Sequence, residues 1–344
     1  MNSRARTTTA RPVTTDDARW MDVALRHGRR ALGTTAEHPT VGCVIVKDGR
    51  LVGAGWTQPG GRPHAETEAL AMAGDKARGA TAYVTLEPCA HHGKTGPCAG
   101  ALVAAGIARV VTAIEDPDLR VSGGGHAILS RAGVACESGL GAEQARRDMA
   151  GFLTRIQKNR PQVILKMAFS ADGKIAAAAG KRTAISGAEA RSYVHLLRAQ
   201  SNAILVGMGT VMADDPELTC RLPGLEGRSP QPFVLSRQAS LPPASHLARR
   251  GAEVLRGSLQ QVLEGLSLRG INRLMVEGGA RVARSFLEAG LVDEFHLIRA
   301  PLTLGPDGVD GLAGLSLDQA LQPFQPIRQE KLGSDLLTVY EARP

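Results

Sequence analysis

Residues 62–70 read RPHAETEAL and residues 86–98 read LEPCAHHGKTGPC, so a chain with five cysteines sets His64, Cys89 and Cys98 in two neighbouring Pro-marked stretches. An imidazole and two thiolates are donors that Zn²⁺ prefers, and three protein ligands leave the fourth tetrahedral vertex to water. Zinc brings the pKa of such a water down to about 7, which makes hydroxide available at neutral pH. Glu66, two residues after His64, stands where a carboxylate could take the proton and hand it to a leaving group. The competing reading is a closed structural site with His91 or His92 as fourth ligand, and these two otherwise read as loop residues.

The spacing restricts where these residues can sit. In a regular helix residues i and i+2 point about 200° apart, so His64 and Glu66 can share a cavity only where the chain is entering a helix. Pro63 marks that start. Pro88 ends a strand pattern with Cys89 next, and Pro97-Cys98 opens the following helix, whose N-terminus favours thiolate over thiol. Both stretches therefore fall on strand-to-helix edges of one sheet, where α/β proteins place ligands.

The surrounding pattern supplies those edges. A first helix is expected from Asp16 to Leu32, with Asp16 or Asp17 as N-cap, and VGCVIV with RLVGAGW form a hairpin through Asp48-Gly49. TEALAMA, CAGALVAAG and GHAILSRAG read as helices, while ATAYVTLE, ARVVTAI and VACES read as strands. That alternation implies a helix-covered sheet. Cys43 and Cys136 lie on apolar strands and read as buried core thiols.

GAEQARRDMAGFLTRIQKNRP reads as one charged helix ending at Pro161, and a boundary falls near residue 155. Beyond it, QVILKMAFS, NAILVG, PFVLS, AEVLR, RLMVEGG, EFHLIRA and LLTVYEA are strand patterns. AEARSYVHLLRAQ, LQQVLEGL and RVARSFLEAG are helical ones. Strand, Gly turn and helix recur in LMVEGGARVARSF and AILVGMGTVMADDP, and such a helix start suits phosphate.

Length and composition fit this picture. The 344 residues suit two domains, and 43% hydrophobic with 22% charged residues is ordinary for a globular protein. The net charge of +8 is scattered, and three Tyr, six Phe and two Trp are few for a base-stacking surface, which argues against nucleic acid as partner. No apolar run suggests a membrane span, and the N-terminal seventeen residues lack the apolar stretch of a secretory signal. An odd number of irregularly spaced cysteines points to the reducing cytosol.

H-x-E followed by a Pro-Cys pair is the signature of zinc-dependent base deaminases, here with eight residues between the two cysteines. HPTVGCVIV, PHAETEAL, LEPCAHHGKTGPC and EDPDLRVSGGG together resemble the deaminase half of the bifunctional riboflavin-biosynthesis deaminase/reductases. LKMAFSADGKIA, LLRAQSNAILVGMGTVMADDPELTCRLPG and VEGGARVARSFL resemble the reductase half.

The resemblance implies an α/β chain in two parts after a disordered tail over residues 1–15. Residues 16–155 would form a cytidine-deaminase-like three-layer sandwich and 156–344 a dihydrofolate-reductase-like domain. It implies zinc on His64, Cys89 and Cys98, with Glu66 shuttling the proton. NADPH would be bordered by Ala168, Thr210, Asp214, Gly279, Ala280, Arg281, Val282, Ala283, Arg284 and Ser285. Arg198, Leu218, Arg221 and Glu277 would border the substrate, a pyrimidine ribosyl phosphate, with Arg198 and Arg221 forming a fork for the phosphate. Lys166 and Asp172 are family-like, and the family pairs as a homodimer or higher homo-oligomer. The chain departs from the family pattern at His38 in place of Asn, Arg182 in place of Ser and Ala184 in place of Trp, and at Asp116-Pro117-Asp118-Leu119 in place of DPNP. A paralogue acting on a related pyrimidine phosphate and a nucleic-acid deaminase are the alternatives.

Overall fold

A computed structural model describes residues 14–90, 96–117, 122–181, 183–237 and 240–343. The expected tail, His91, His92 and Arg182 lie wholly or largely outside them. The chain divides after Lys158 into two compact units.

The first unit runs α1 (Thr15–Arg29), β1 (Gly42–Lys47), β2 (Arg50–Trp56), α2 (Ala65–Ala73), β3 (Thr81–Val84) and α3 (Cys98–Ala104). It continues with β4 (Arg109–Thr112), α4 (Gly124–Arg131), β5 (Ala135–Ser138), α5 (Ala142–Asp148) and α6 (Ala150–Lys158). The sheet order is β2-β1-β3-β4-β5, with β1 antiparallel to both neighbours and β3, β4 and β5 parallel. Asp48 (φ 50°) and Gly49 (φ 71°) take the left-handed backbone that a two-residue hairpin needs.

Glycines set how closely helices approach this sheet. A Cβ on Gly42 would run into the Ala24 carbonyl of α1, and one on Gly55 into the Ala65 carbonyl of α2. Gly55 pairs with Cys43, the residue after Gly42, so the two helices press on opposite faces. The result is three layers, with Met21, Leu25, Val44, Ile45, Leu102 and Val111 among the buried side chains.

Thr14, rather than Asp16 or Asp17, caps α1: its hydroxyl accepts from the Asp17 N–H at 3.3 Å, while Asp17 Oδ2 accepts from the Thr14 N–H at 2.8 Å. The Asp17 carboxylate also takes a bidentate Arg109 at 2.6 and 3.2 Å and the Tyr83 hydroxyl at 2.6 Å. Burial opposes that charge, but Arg109 and Tyr83 outweigh it and hold the carboxyl far below its usual range.

The second unit contains β6 (Gln162–Phe169), β7 (Lys174–Ala176), α7 (Ala188–Ala199), β8 (Ala203–Gly207), α8 (Met208–Asp214), β9 (Gln231–Leu235), α9 (His246–Arg249) and β10 (Glu253–Leu255). It ends with α10 (Leu259–Leu268), β11 (Arg273–Val276), α11 (Ala280–Glu288), β12 (Glu294–Arg299), β13 (Val309–Asp310), α12 (Leu317–Leu321), β14 (Phe324–Leu332) and β15 (Asp335–Ala342). Eight strands line up as β10-β9-β8-β11-β6-β12-β15-β14, parallel as far as β12 and antiparallel for the final hairpin. Alternate residues face opposite layers: Ile204, Val206 and Met275 pack with Val194 and Leu197 of α7, while Leu205, Leu274 and Val276 pack with Leu263 of α10 and Phe286 of α11.

Several expectations change. The charged helix is broken at Met149 (φ −104°, ψ 11°), whose side chain is buried. Cys43 is fully buried, but Cys136 is only half-buried because β5 is the sheet edge. β14 was not expected: FQPIRQEKL has little apolar alternation because it too is an edge strand and mostly exposed. Among the described residues, no helix is long and apolar enough to cross a membrane.

Gly42→Ala is expected to push α1 off the sheet and cost about 1–3 kcal/mol, as overpacked cores do. A lower urea midpoint would report it, and a midpoint equal to that of the parent chain would contradict the close approach.

Candidate functional site

His64 is the N-cap of α2, with extended backbone (φ −72°, ψ 160°), and Glu66 follows inside the first turn. This resolves the i, i+2 problem, because only Glu66 obeys helix geometry. Cys98 is the first residue of α3, capped by Pro97, and Cys89 lies beyond the end of β3. The His64 Nδ1 stands 3.3 Å from Cys98 Sγ and 3.8 Å from Cys89 Sγ, and all three donor atoms lie within 4.8 Å of one another. The Cys98 N–H donates to Cys89 Sγ at 3.3 Å, so a helix start serves this sulfur.

The donor set fits a cation. At Zn–S and Zn–N bonds of about 2.3 and 2.1 Å, a tetrahedral ion spaces its donors about 3.6–3.8 Å apart, close to the separations seen. The protonation pattern agrees. Hydrogen bonding to Cys98, first of all, brings the Cys89 thiol down to about 4, while the adjoining Cys89 drives Cys98 far up. Both sulfurs can be anionic only with positive charge between them. Hydrogen bonding to Cys89 raises His64. Glu66 is 4% exposed, and burial pushes its carboxyl up to about 7 despite the pull of His64.

His38 is half-buried, and its ring occupies the space that a Cβ on Gly61 would need, three residues before His64. Burial lowers its pKa.

In the second unit the β8–α8 and β11–α11 turns meet. The Thr210 hydroxyl donates to the Gly278 carbonyl at 3.4 Å, and a Cβ on Gly279 would lie 3.1 Å from that hydroxyl. Gly279 caps α11 (φ 23°, ψ 155°). Ala168 and Asp214 are half-buried. Of the residues after Gly279, only part of the stretch borders this turn. Ala280 starts the helix, and Arg281 and Val282 lie on its first turn, exposed and half-buried. Ala283 is buried in the core, and Arg284 donates to Glu288 at 2.8 Å and to the Ala313 carbonyl at 2.7 Å. Ser285 donates to the Arg281 carbonyl at 2.9 Å.

Glu277 follows β11 on the α7 face, since it is two residues beyond Met275. Arg198 of α7 grips it with Nε (2.6 Å) and Nη2 (3.0 Å), and Lys166 of β6 approaches at 3.4 Å. The third Arg198 nitrogen donates to the Thr219 carbonyl at 3.0 Å. Burial would raise Glu277, but Arg198 and Lys166 hold it at about 2. Arg221 is exposed and donates to Glu217 (2.9 Å) and the Thr219 hydroxyl (3.0 Å). Both arginines thus reach Thr219, with the Arg198 guanidinium already engaged. Leu218, the residue before Thr219, is buried with φ 54°, a strained conformation for this residue type. Asp172 accepts from Ser170 Oγ and the Leu304 and Gly305 N–H groups, a loop-shaping role. Ala184 is exposed.

Sequence reasoning passed over Glu87. Its carboxylate is buried and receives four backbone N–H groups from residues 116–126. An acidic residue between an apolar strand and a ligand-bearing turn, facing a Gly-Gly-Gly run, was the available signal.

The family model of the cytidine and deoxycytidylate deaminase zinc-binding region matches residues 14–114, and that of the RibD C-terminal domain matches 161–338. The fold and site therefore define a two-part enzyme, a cytidine-deaminase-like zinc domain followed by a reductase domain, and a reductase of this type implies a nicotinamide cofactor. The riboflavin biosynthesis protein RibD of Escherichia coli (strain K12) is 41% identical over 337 residues, covering 87% of this chain and 92% of that protein. That of Mycobacterium tuberculosis (strain ATCC 25618 / H37Rv) is 40% identical over 329 residues, covering 94% and 96%. Among solved structures, Acinetobacter baumannii RibD, form 1, superposes with a TM-score of 0.87 at 36% identity over 96% of this chain and 99% of that one. A Thermotoga maritima protein described as a diaminohydroxyphosphoribosylaminopyrimidine deaminase/5-amino-6-(5-phosphoribosylamino)uracil reductase gives 0.85 at 33% identity, covering 95% and 98%. The chain belongs to the RibD family, the bifunctional deaminase/reductases of riboflavin biosynthesis. Neither a paralogous activity nor nucleic-acid deamination is favoured by these matches.

Arg198→Met is expected to strand a buried carboxylate and cost about 3–5 kcal/mol. Because Glu277 is depressed, its contribution is present above the unfolded value of about 4.3 and fades as pH falls toward about 2. The urea midpoints of parent and variant should differ at pH 7 and converge in acid; coincident midpoints at pH 7 would sink the idea.

Proposed function

We propose that the first unit removes an amino group hydrolytically from a diamino-pyrimidinone carrying a ribosylamino 5-phosphate. The second unit then reduces the opened ribosyl chain to ribityl with NADPH. The substrate follows the activity for which the Thermotoga maritima relative is named, a protein this chain matches along nearly its whole length. The observation that carries the reading is the trio of His64, Cys89 and Cys98 donors beside a buried carboxyl poised near neutrality.

His64, Cys89 and Cys98 would hold Zn²⁺. Bound there, the cation supplies Lewis acidity and a nucleophilic oxygen at neutral pH. Glu66 then does the proton work. Its buried carboxyl, pushed up by desolvation, would accept a proton from the attacking water and give it to the departing amine. One water is consumed and one ammonia leaves, while the residue returns to its starting state.

In the second unit, nicotinamide supplies the hydride, and the chain's task is orientation. Thr210 and Gly279 bring two Gly-containing turns together, and the α11 start presents backbone N–H groups suited to a dinucleotide phosphate. Arg198, held by Glu277, and Arg221 both bond to Thr219, next to the strained Leu218, and together these residues form the wall proposed for the substrate.

Glu66→Gln should keep zinc at parent stoichiometry while deaminase turnover falls about 10²–10⁴-fold. Near-normal turnover with zinc in place would refute the proton-shuttle role. NADPH at about 100 times its Kd should stabilise the second unit by about 2.7 kcal/mol. A melting curve indifferent to saturating NADPH would count against that cofactor.

A further inference from the structure

We propose that Glu87 is a positioning residue for the deaminase centre: its buried carboxylate caps α4 from outside and thereby fixes the Pro88-Cys89-Ala90 turn that carries one sulfur. The inference rests on the reading of Cys89 as a zinc ligand.

Helix α4 cannot cap itself. Its N-cap is Gly123, in the left-handed region (φ 76°), and glycine offers no side-chain acceptor to the orphan N–H groups of the first turn. Glu87 supplies one from another part of the chain. Its Oε2 accepts from the Gly123 N–H at 3.0 Å and the Asp116 N–H at 3.2 Å. Its Oε1 accepts from the Gly125 N–H at 2.9 Å and the His126 N–H at 3.3 Å. A carboxylate has about four lone-pair sites, so its acceptor capacity is filled. The positive end of the helix dipole faces the charge, and with Glu87 only 3% exposed the contact is little screened.

The same contact holds the metal-binding turn. A Cβ on Gly125 would collide with the Pro88 carbonyl, and one on Gly124 would lie 3.0 Å from the Ala90 Cβ. The start of α4 therefore touches the residues on both sides of Cys89. From the other direction the Glu87 N–H donates to the Ile114 carbonyl at 2.9 Å, and the Ala99 N–H of α3 donates to the Cys89 carbonyl at 3.3 Å. Cys89 is clasped between two helix starts, and Glu87 closes the clasp on the α4 side. The glycines at 124 and 125 make room for it.

Glu87→Gln keeps the shape but leaves one carbonyl oxygen to accept and turns an NH₂ group toward two N–H donors. In the full-length protein, zinc affinity measured by competition with a chromophoric chelator should weaken about 10–100-fold, the range found when support of a metal ligand is lost. Reductase turnover should be unchanged. A purely structural Glu87 would lower the melting temperature and leave zinc affinity of the folded protein as it was, and that result overturns the proposal.

The unaltered chain gives a second readout that needs no variant to fold. Coupling between sites is reciprocal, so removing zinc should speed amide exchange at Gly123, Gly125 and His126. Exchange indifferent to zinc also overturns the proposal. Cys89→Ser separates the two layers of inference: it should weaken zinc binding more than Glu87→Gln does. If Cys89→Ser binds zinc like the parent chain, the ligand assignment and the positioning role fall together. If Cys89→Ser loses zinc while Glu87→Gln keeps parent affinity, only the positioning role falls.

Discussion

Two sulfurs and an imidazole nitrogen held within 4.8 Å repel one another once more than one of them is anionic, and the first unit is built to keep them together regardless. The hydrogen bond between the two sulfurs brings Cys89 down to about 4 and, with burial, drives Cys98 far up. No single element could impose that crowding. His64 comes from the start of α2, Cys98 from the start of α3 and Cys89 from the turn after β3, so their separations depend on how closely two helices lie on one sheet. Gly55 lets α2 rest on β2 with backbone against backbone. The adjoining β3, β1 and β4 then fix where the Cys89 turn begins. Sheet packing, capping and metal chemistry are in this sense one constraint.

The parts legible in the sequence are those where one residue type carries one meaning. His64 and Pro97-Cys98 at helix starts and Pro88-Cys89 after a strand pointed to the donor trio, Asp48-Gly49 located the hairpin, and β-branched runs located the buried strands. What stayed hidden depends on partners far along the chain. The Glu87 carboxylate makes sense only beside Gly123 and Gly125. Arg198 looked like a free phosphate fork, yet its nitrogens are bonded to Glu277 and the Thr219 carbonyl. β14 carries a charged edge-strand pattern that lacks core alternation, and its pairing with β15 comes from the hairpin turn rather than from burial. The Tyr193–His296–Glu294 chain of hydrogen bonds, at 2.7 and 2.9 Å, joins α7 to β12 from residues about a hundred positions apart. Periodicity reports which face a residue occupies, and it is silent about which polar groups meet there.

The two units also show how burial alone fails to determine what a carboxyl does. Glu66 and Glu277 are the same residue type, both largely removed from solvent, one in the first turn of α2 and the other directly after β11, yet one is pushed up to about 7 and the other held at about 2. Desolvation acts on both in the same direction. The difference lies in the cations. Arg198 and Lys166 stand against Glu277 with hydrogen bonds to both of its oxygens, so its charge is permanent and its use is to hold a wall in place. At Glu66 burial leads, with the His64 imidazole pulling the carboxyl down and the Cys89 sulfur pushing it up, and the balance leaves it at about 7. Among the described residues no guanidinium or ammonium is hydrogen-bonded to Glu66, so the charge of this carboxyl is set by burial and by the metal-binding trio rather than by a fixed ion pair such as the one that holds Glu277.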